Sequence, residues 1–192
     1  MKTAGIFILG LLVGAAAMAA PAALHHLHEH WLGAQGGNAG MAPGEAVHTE
    51  EKFDFVANGP MADVAPLFGA EKEKVWSKNW EPKFVWPAEA MDREGMVFKV
   101  AHGSMKSVWV NTAYDTAGGR IQYVYVVPGA MACVITLGLT AQGDKTHVAV
   151  EYERTALDAE LNEHVKELAE EDAKSGPYWE KAVNEYLSRQ KE

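Results

Sequence analysis

The sequence of 192 residues contains a single cysteine, Cys133. One thiol cannot form an intramolecular disulfide, so the chain is not a small disulfide-rich domain and its own hydrophobic core must hold the fold. Cys133 lies in a stretch of alternating apolar residues and has no nearby base in the sequence. These surroundings predict a buried, unreactive thiol and exclude a thiol nucleophile.

Basic residues are also few. The chain has 17 Lys and Arg residues against 26 Asp and Glu residues, which gives a formal net charge of −9. No basic cluster is present, which argues against binding to nucleic acid and to anionic membrane surfaces, because both require concentrated positive charge. The excess of negative charge is typical of a domain that is kept soluble by its surface.

The familiar catalytic signatures are missing too. The sequence has no nucleophile elbow, no phosphate-binding loop, no HExxH zinc motif and no Ser-His-Asp order. The acidic run Glu170-Glu171-Asp172 lies on a predicted helix already dense with charge, which predicts a solvated face. The residues themselves therefore indicate no catalytic group, and we expect no cofactor.

Residues 1–24 have the layout of an export segment. Lys2 precedes an uncharged apolar stretch, and Ala17-Met18-Ala19 has the form of a signal-peptidase site. Two interpretations remain open: cleavage after Ala19, or retention of the stretch as a membrane anchor, since about 20 apolar residues span a bilayer. Both place the rest of the chain in the cell envelope, as a periplasmic or secreted domain or one anchored to the inner membrane.

Residues 25–46 predict a flexible linker, because Gly and Ala dominate its second half. Its beginning carries four imidazoles, which suit Zn, Cu or Ni. These candidate metal ligands are His25, His26, His28 and His30. The alternative is a polar flank of the export segment or a tail that binds metal adventitiously, because the spacing of a closed tetrahedral site is not evident.

The remaining residues, 47–192, predict one α+β domain. Alternation of apolar and polar residues over 47–57 predicts a first strand, and two short helices follow before residue 76. Beyond them, alternating runs separated by Gly-containing turns predict six more strands in an antiparallel meander. The result is a curved sheet of about seven strands, with Val108 and Val110 on the face that points toward the core.

The chain ends in a predicted amphipathic helix with Asp158 as its N-cap. Apolar residues recur three or four apart on both sides of Ser175-Gly176-Pro177, with Trp179 and Val183 on the second half of the stripe. Proline removes a backbone donor and clashes with the preceding turn, so this tripeptide predicts an interruption or kink. We therefore expect one long, kinked C-terminal helix that covers the sheet.

This order of elements resembles the helix-grip fold of the START-like superfamily, also called the SRPBCC or pollen-allergen fold. The similarity covers roughly residues 53–187 and is carried by several short segments. They are Leu67-Phe68-Gly69, Glu73-Lys74-Val75-Trp76, Trp80-Glu81-Pro82, Phe84-Val85, Val108-Trp109 and Trp179-Glu180. The same segments recur in a bacterial branch with no settled biochemical role. The chain departs from ordinary members in its histidine-bearing export segment and in Gly176-Pro177.

The resemblance implies a cavity between the sheet and the C-terminal helix, where members hold lipids, sterols, polyketides or other apolar molecules. Some members catalyse cyclisation or dehydration. By resemblance we expect a small apolar ligand as partner, and nine side chains that line its cavity. They are Phe55, Trp76, Trp80, Phe98, Val110, Tyr123, Tyr125, Trp179 and Val183.

A tightly packed core would have the same pattern. Trp76 and Trp80 form either an aromatic wall at a cavity mouth or the contact that packs the short helices onto the sheet. Our leading hypothesis is a non-catalytic, envelope-facing binding domain for a small hydrophobic ligand. The alternatives are a polyketide cyclase/dehydratase-like enzyme that uses Tyr or His as acid or base, and a metal-handling accessory protein that uses the N-terminal histidines.

Overall fold

The structure, a computed structural model, describes residues 44–102 and 105–190. The predicted export segment and its histidines lie outside the described residues. Within those ranges no helix has the length and apolar character needed to cross a membrane.

Seven strands form one antiparallel sheet in the order β1-β7-β6-β5-β4-β3-β2. They are β1 (His48–Ala57), β2 (Lys83–Trp86), β3 (Val97–His102), β4 (Met105–Asp115), β5 (Arg120–Val127), β6 (Met131–Gln142) and β7 (Lys145–Ala156). Strands β2 to β7 follow one another as a meander, and β1 pairs with β7 from His48–Thr155 to Ala57–Thr146. The predicted seven-stranded antiparallel sheet is confirmed.

The turns that join β4–β5, β5–β6 and β6–β7 form where the sequence predicts them, because each has a glycine in the left-handed region. Gly119, Gly129 and Gly143 have φ values of +74°, +72° and +67°. Gly119 also has no room for a side chain, because a Cβ atom there would lie 2.2 Å from the carbonyl oxygen of Leu139. The β4–β5 turn therefore requires glycine twice over, for its backbone angle and for the approach of β6.

Two short helical segments lie between β1 and β2. Helix α1 (Met61–Val64) runs directly into a 3-10 turn (Ala65–Phe68), and a second 3-10 helix covers Lys72–Val75. The Asp92 side chain, in the loop between β2 and β3, holds the start of the second segment through two hydrogen bonds. Its Oδ1 accepts from the Glu71 amide at 2.8 Å, and its Oδ2 accepts from the Lys72 amide at 3.1 Å. The segment that carries Glu73 and Trp76 is thereby fixed at its start.

The C-terminal region forms two helices, so the break predicted at Ser175-Gly176-Pro177 is present and is an interruption, not a kink within one long helix. A 3-10 turn (Ala159–Leu161), begun by the predicted cap Asp158, leads into α2 (Asn162–Asp172), and α3 (Gly176–Arg189) follows. Pro177 lies in the first turn of α3, where its missing N–H is not needed. A Cβ atom on Gly176 would lie only 3.3 Å from the Asp54 carbonyl oxygen, so glycine lets α3 begin against β1.

The inner face of β4 is the opposite of the predicted one. Trp109 is buried, whereas Val108 is exposed and Val110 is half-buried on the outer face beside Val124. Both faces of β4 are apolar, so alternation alone does not identify the inner one. The indole buries more apolar area than a valine and stacks on Tyr125 with ring centroids 4.2 Å apart. Val110 therefore does not line the interior, contrary to the prediction.

Candidate functional site

Eight of the nine predicted ligand-lining side chains are buried together in the interior between the sheet and the helices. They are Phe55, Trp76, Trp80, Phe98, Tyr123, Tyr125, Trp179 and Val183. Val110 is the exception, because it lies on the outer face of the sheet. The structure confirms their common location, and their contact with a ligand stays a prediction.

Trp179 of α3 is the centre of one aromatic group. Its ring centroid lies 5.3 Å from that of Phe53, 5.4 Å from that of Trp76 and 6.1 Å from that of Phe68. These rings come from β1 and from the short helical segments, so Trp179 joins three parts of the fold. Its large buried area and its edge-to-face contacts stabilise the closure of α3 over the sheet.

A second aromatic group lies on β3, β4 and β5. Trp109 is its centre, with ring centroids 4.2 Å from Tyr125, 5.5 Å from Phe98 and 5.6 Å from Trp80. Trp109 was not among the predicted site residues, because it was expected on the outer face. Trp109 belongs to the Val108-Trp109 pair that carries part of the family resemblance, and this pair could have identified it as an inward-facing residue.

Trp76 and Trp80 have their polar atoms occupied by the backbone of their own segment. The indole Nε1 of Trp76 donates to the Leu67 carbonyl at 2.7 Å, and that of Trp80 donates to the Ala70 carbonyl at 2.7 Å. These bonds support the packing interpretation, in which both residues hold the short helices on the sheet. Trp86, in contrast, is 49 % exposed and lies under the Arg93 guanidinium.

Arg154, Asp172 and Tyr125 form a buried polar group that we call the Arg154 cluster. The Arg154 side chain donates from Nε to Asp172 Oδ2 at 2.8 Å and from Nη2 to Asp172 Oδ1 at 3.0 Å, and its Nη1 donates to the Tyr125 hydroxyl. Burial raises the pKa of the Asp172 carboxyl, and the adjacent guanidinium opposes that rise. The paired geometry satisfies both ions inside the core.

The burial of Asp172 corrects the prediction of a solvated acidic face over residues 170–172. Asp172 is seven residues after Val165 and so falls on the stripe of α2 that faces the sheet. Arg154 occupies an inward position of β7, where a charged residue must find a partner. That inward arginine is the signal by which the pair could have been predicted.

Glu73, Asn111 and Tyr123 form a second buried polar group, the Glu73 cluster. The exposed fractions of these residues are 1 %, 0 % and 2 %. Tyr123 donates its hydroxyl proton to the Phe68 carbonyl at 2.8 Å. In contrast, Glu73 Oε1 and both amide atoms of Asn111 have no hydrogen-bond partner among residues 44–102 and 105–190. Buried polar atoms are rarely left in this state, so the cluster needs an explanation.

Burial determines the charge of the Glu73 cluster. It raises the pKa of the Glu73 carboxyl well above its usual range, and the nearby Asp92 carboxyl adds to the rise, although a hydrogen bond with Ser77 opposes it. Burial also raises the pKa of Tyr123 well above its usual range, although the adjacent Asn111 side chain opposes that rise. Burial therefore favours the form of the cluster that consists of a neutral carboxylic acid, an amide and a phenol.

A third group lies on the outer face, at the ends of β1 and β7. The ligand atoms of His48, Glu50 and Glu153 lie within 4.8 Å of one another. His48 shares a hydrogen bond between its Nδ1 and Thr155 Oγ1 at 2.9 Å, and its Nε2 lies 3.6 Å from Glu50 Oε1. This is a surface group of a kind that is common without a metal. The predicted ligands His25, His26, His28 and His30 lie outside the described residues.

No family model matches the sequence, and no curated protein matches it either. Solved structures do. A protein of uncharacterised function from Rhizobium leguminosarum is 16 % identical, with a TM-score of 0.54 over 75 % of this chain and 97 % of that chain. Norcoclaurine synthase from Thalictrum flavum, in complex with dopamine and hydroxybenzaldehyde, is 8 % identical, with a TM-score of 0.53 over 76 % of this chain and 89 % of that chain.

Ara h 8.0201 is 15 % identical, with a TM-score of 0.51 over 74 % of this chain and 99 % of that chain. Similarities at such low identity show the fold and not the activity, because one fold serves many functions. The chain therefore has the helix-grip fold that the order of its elements predicted.

Proposed function

We propose that the protein binds a small, mainly apolar molecule in its interior, between the inner face of the sheet and the helices, without transforming it. One observation carries this proposal: the aromatic interior contains buried polar atoms, on Glu73 and Asn111, that no described side chain or backbone group satisfies. A core whose only role is stability would have apolar residues at these positions, because a buried polar group without a hydrogen bond destabilises the fold.

The aromatic groups support the apolar character of the ligand. Trp80, Phe98 and Trp109 border the part of the interior that holds Asn111 and Tyr123. Aromatic walls with a few polar groups are typical of small-molecule sites. The norcoclaurine synthase structure has the same fold and holds two small aromatic molecules, dopamine and hydroxybenzaldehyde, which supports a ligand of similar size for this chain.

The test is native mass spectrometry of the protein purified from its own cells, followed by extraction of what it carries. We expect one retained molecule whose mass adds to that of the chain. As a control, Trp86→Ala changes an exposed ring outside the interior and should leave retention unchanged. Recovery of the bare chain alone, at the same purity, would contradict the proposal.

One observation favours the cyclase/dehydratase alternative. Burial raises the pKa of the Glu73 carboxyl and so favours its protonated form, and a protonated acid beside a bound ligand can serve as a general acid. Burial raises the pKa values of the buried tyrosines, so little phenolate is present at neutral pH to act as a general base. Prolonged incubation of the loaded protein separates the two functions: a ligand recovered lighter by one water would support the enzyme, and an unchanged ligand supports binding alone.

We also propose that the domain works in the cell envelope. This proposal rests on residues 1–24, with their apolar stretch and the Ala17-Met18-Ala19 site. The mass of the mature chain from its own cells decides between cleavage after Ala19 and an intact anchor. Recovery of the intact chain in the soluble cytoplasmic fraction would contradict both forms. Replacement of His25, His26, His28 and His30 by Ala tests the metal hypothesis, which requires a tight metal affinity that this change removes.

A further inference from the structure

We propose that the Glu73 cluster is the anchor for the polar end of the ligand, and that this end is a neutral group with a hydrogen-bond donor beside an acceptor, such as a carboxamide or lactam edge. This inference rests on the proposed function and adds to it the chemical class of the ligand. It follows from which atoms of the cluster are satisfied and which are not.

The position of Asn111 is fixed by its backbone. Its amide N–H donates to the Met96 carbonyl at 3.0 Å, and its carbonyl accepts from the Gly95 amide at 2.8 Å. The side chain, in contrast, is fully buried. It lies beside the Tyr123 hydroxyl, but neither its Oδ1 nor its Nδ2 makes a hydrogen bond of normal geometry among the described residues. The backbone would be equally satisfied with Leu at this position, so the fold itself does not need the amide.

The three side chains converge on one region. Asn111 of β4 and Tyr123 of β5 are partners across the two strands, and the Asn111 side chain is close enough to the Tyr123 hydroxyl to affect its pKa. Glu73 also affects the pKa of that hydroxyl, although it comes from the 3-10 helix between β1 and β2. A ligand group beside the hydroxyl of Tyr123 would therefore meet Asn111 from the sheet and Glu73 from the short helix.

The free atoms specify complementary chemistry. The Asn111 Oδ1 needs a donor and its Nδ2 needs an acceptor, and the two atoms lie on one planar group. A carboxamide or lactam edge offers that pair in the same spacing, as one amide does to another. The Tyr123 hydroxyl donates a hydrogen bond to the Phe68 carbonyl and can still accept one, and the Glu73 carboxyl can donate in the protonated form that burial favours.

Electrostatics favour a neutral ligand group. The charged residue that reaches Glu73 is Asp92, a second carboxyl, and it raises the pKa of Glu73 further. None of the groups that shift the pKa of Glu73 is a cation, so a ligand carboxylate would be buried there without a compensating positive charge. A ligand ammonium could pair with Glu73 only if that carboxyl released its proton to solvent, and the site would then bury two ions, which carries a large desolvation penalty.

A matched set of naphthalene probes tests the inference on the full chain: 2-naphthamide, 2-methylnaphthalene, 2-naphthoate and 2-(aminomethyl)naphthalene. Dissociation constants are measured from the naphthyl fluorescence. We expect the amide to bind about tenfold more tightly than the methyl compound, the ratio that one well-made buried hydrogen bond gives. The carboxylate and the amine should bind more weakly than the amide.

Two variants assign that preference to the cluster. Asn111→Leu should remove the preference for the amide and leave the binding of 2-methylnaphthalene intact. Thr112→Val, a neighbouring change on the outer face of β4, should leave the ratio unchanged. Circular dichroism confirms that each variant is folded, and Glu73→Leu provides a second test of the same loss should Asn111→Leu not fold.

The outcomes separate this inference from the proposed function. If none of the probes binds, the proposed interior site fails, and this inference fails with it. If the amide and methyl probes bind equally, the interior site is supported but the polar anchor is overturned. A buried water, and not the ligand, then satisfies the Asn111 side chain. Tightest binding of the amine or the carboxylate would overturn the neutral class, and a preference that persists in Asn111→Leu would overturn the role of Asn111.

Discussion

Arg154 of β7 and Asp172 of α2 meet inside the core in a two-pronged ion pair, with 2.8 Å between Nε and Oδ2 and 3.0 Å between Nη2 and Oδ1. The pair joins the last strand to the first C-terminal helix. Because both charges are removed from water, each depends on the other for its solvation. The pair therefore fixes the position of α2 and makes that position sensitive to single substitutions.

Removal of one partner from this pair should strongly destabilise the fold. Arg154→Met or Asp172→Leu leaves an uncompensated charge in the core, and we expect a loss of roughly 3–5 kcal/mol in the free energy of unfolding. The double variant removes both charges and should lose less than the sum of the single losses. Equilibrium unfolding in urea measures all three values.

The exposed pair between Lys52 and Glu151, with 2.7 Å between its charged atoms, is the matched control. Its replacement should change stability little, because exposed ion pairs are well solvated when apart. Strict additivity of the two core substitutions would contradict the mutual dependence of Arg154 and Asp172.

The Glu73 carboxyl should make the native state less stable as the pH rises. Burial raises its folded pKa well above the ordinary value, so between the ordinary and the raised pKa the folded chain holds a proton that the unfolded chain has lost. The stability contribution is full below the ordinary pKa, and it falls by about 1.4 kcal/mol per pH unit in that window. Glu73→Gln has no proton to lose and should remove this slope.

The measurement is the difference in unfolding free energy between Glu73→Gln and the wild type, from urea titrations between about pH 5 and pH 7. This difference should shift in favour of the variant as the pH rises. Taking the difference cancels the titration of Asp172, which lies in the Arg154 cluster and is common to both proteins. A difference that stays constant with pH would show that Glu73 is already ionised in the folded state.

The Cys133 thiol should be protected in the native protein. Its side chain is buried, and burial raises its pKa to about 11, so little thiolate is present at neutral pH. Reaction with an aromatic disulfide reagent should be slow in buffer and should accelerate along the urea unfolding curve. The unfolded chain, which has one cysteine, gives the reference rate. A native rate close to that reference would contradict the burial.

Two turn glycines provide a matched pair of substitutions. Gly119 and Gly129 have nearly the same positive φ, +74° and +72°, so alanine costs about 1–2 kcal/mol of backbone strain at each. A Cβ atom meets the Leu139 carbonyl at 2.2 Å at Gly119 and nothing within 4 Å at Gly129. Gly119→Ala should therefore lower the Tm more than Gly129→Ala. Equal shifts would show that the turn moves away from β6 without cost.

The sheet could be predicted from the sequence because its signals are local. Alternating residues define each strand, and Gly119, Gly129 and Gly143 define the turns. The orientation of β4 could not be predicted, because Val108, Trp109 and Val110 make both faces apolar. The C-terminal helices were predicted as one because the Gly-Pro sequence indicates a break but not whether the helix axis continues through it.

Only the apolar residues of the candidate site were predicted from the sequence. Trp76, Trp80 and Trp179 are buried as the resemblance implies, since large aromatic side chains are driven inward wherever they occur. Glu73, Asn111 and Arg154 were not predicted as site residues, because a polar residue in a single sequence is expected at the surface. Their burial depends on partners from distant elements, and no local pattern carries that information.

The pairing of β1 with β7 has a consequence for the order in which the protein folds. His48 and Thr155 are neighbours in the sheet although they are 107 residues apart in the chain. Synthesis releases β1 first and its partner last, so the emerging chain carries an unpaired strand until nearly the whole domain has been made. Completion of the sheet is therefore a late event in the folding of the domain.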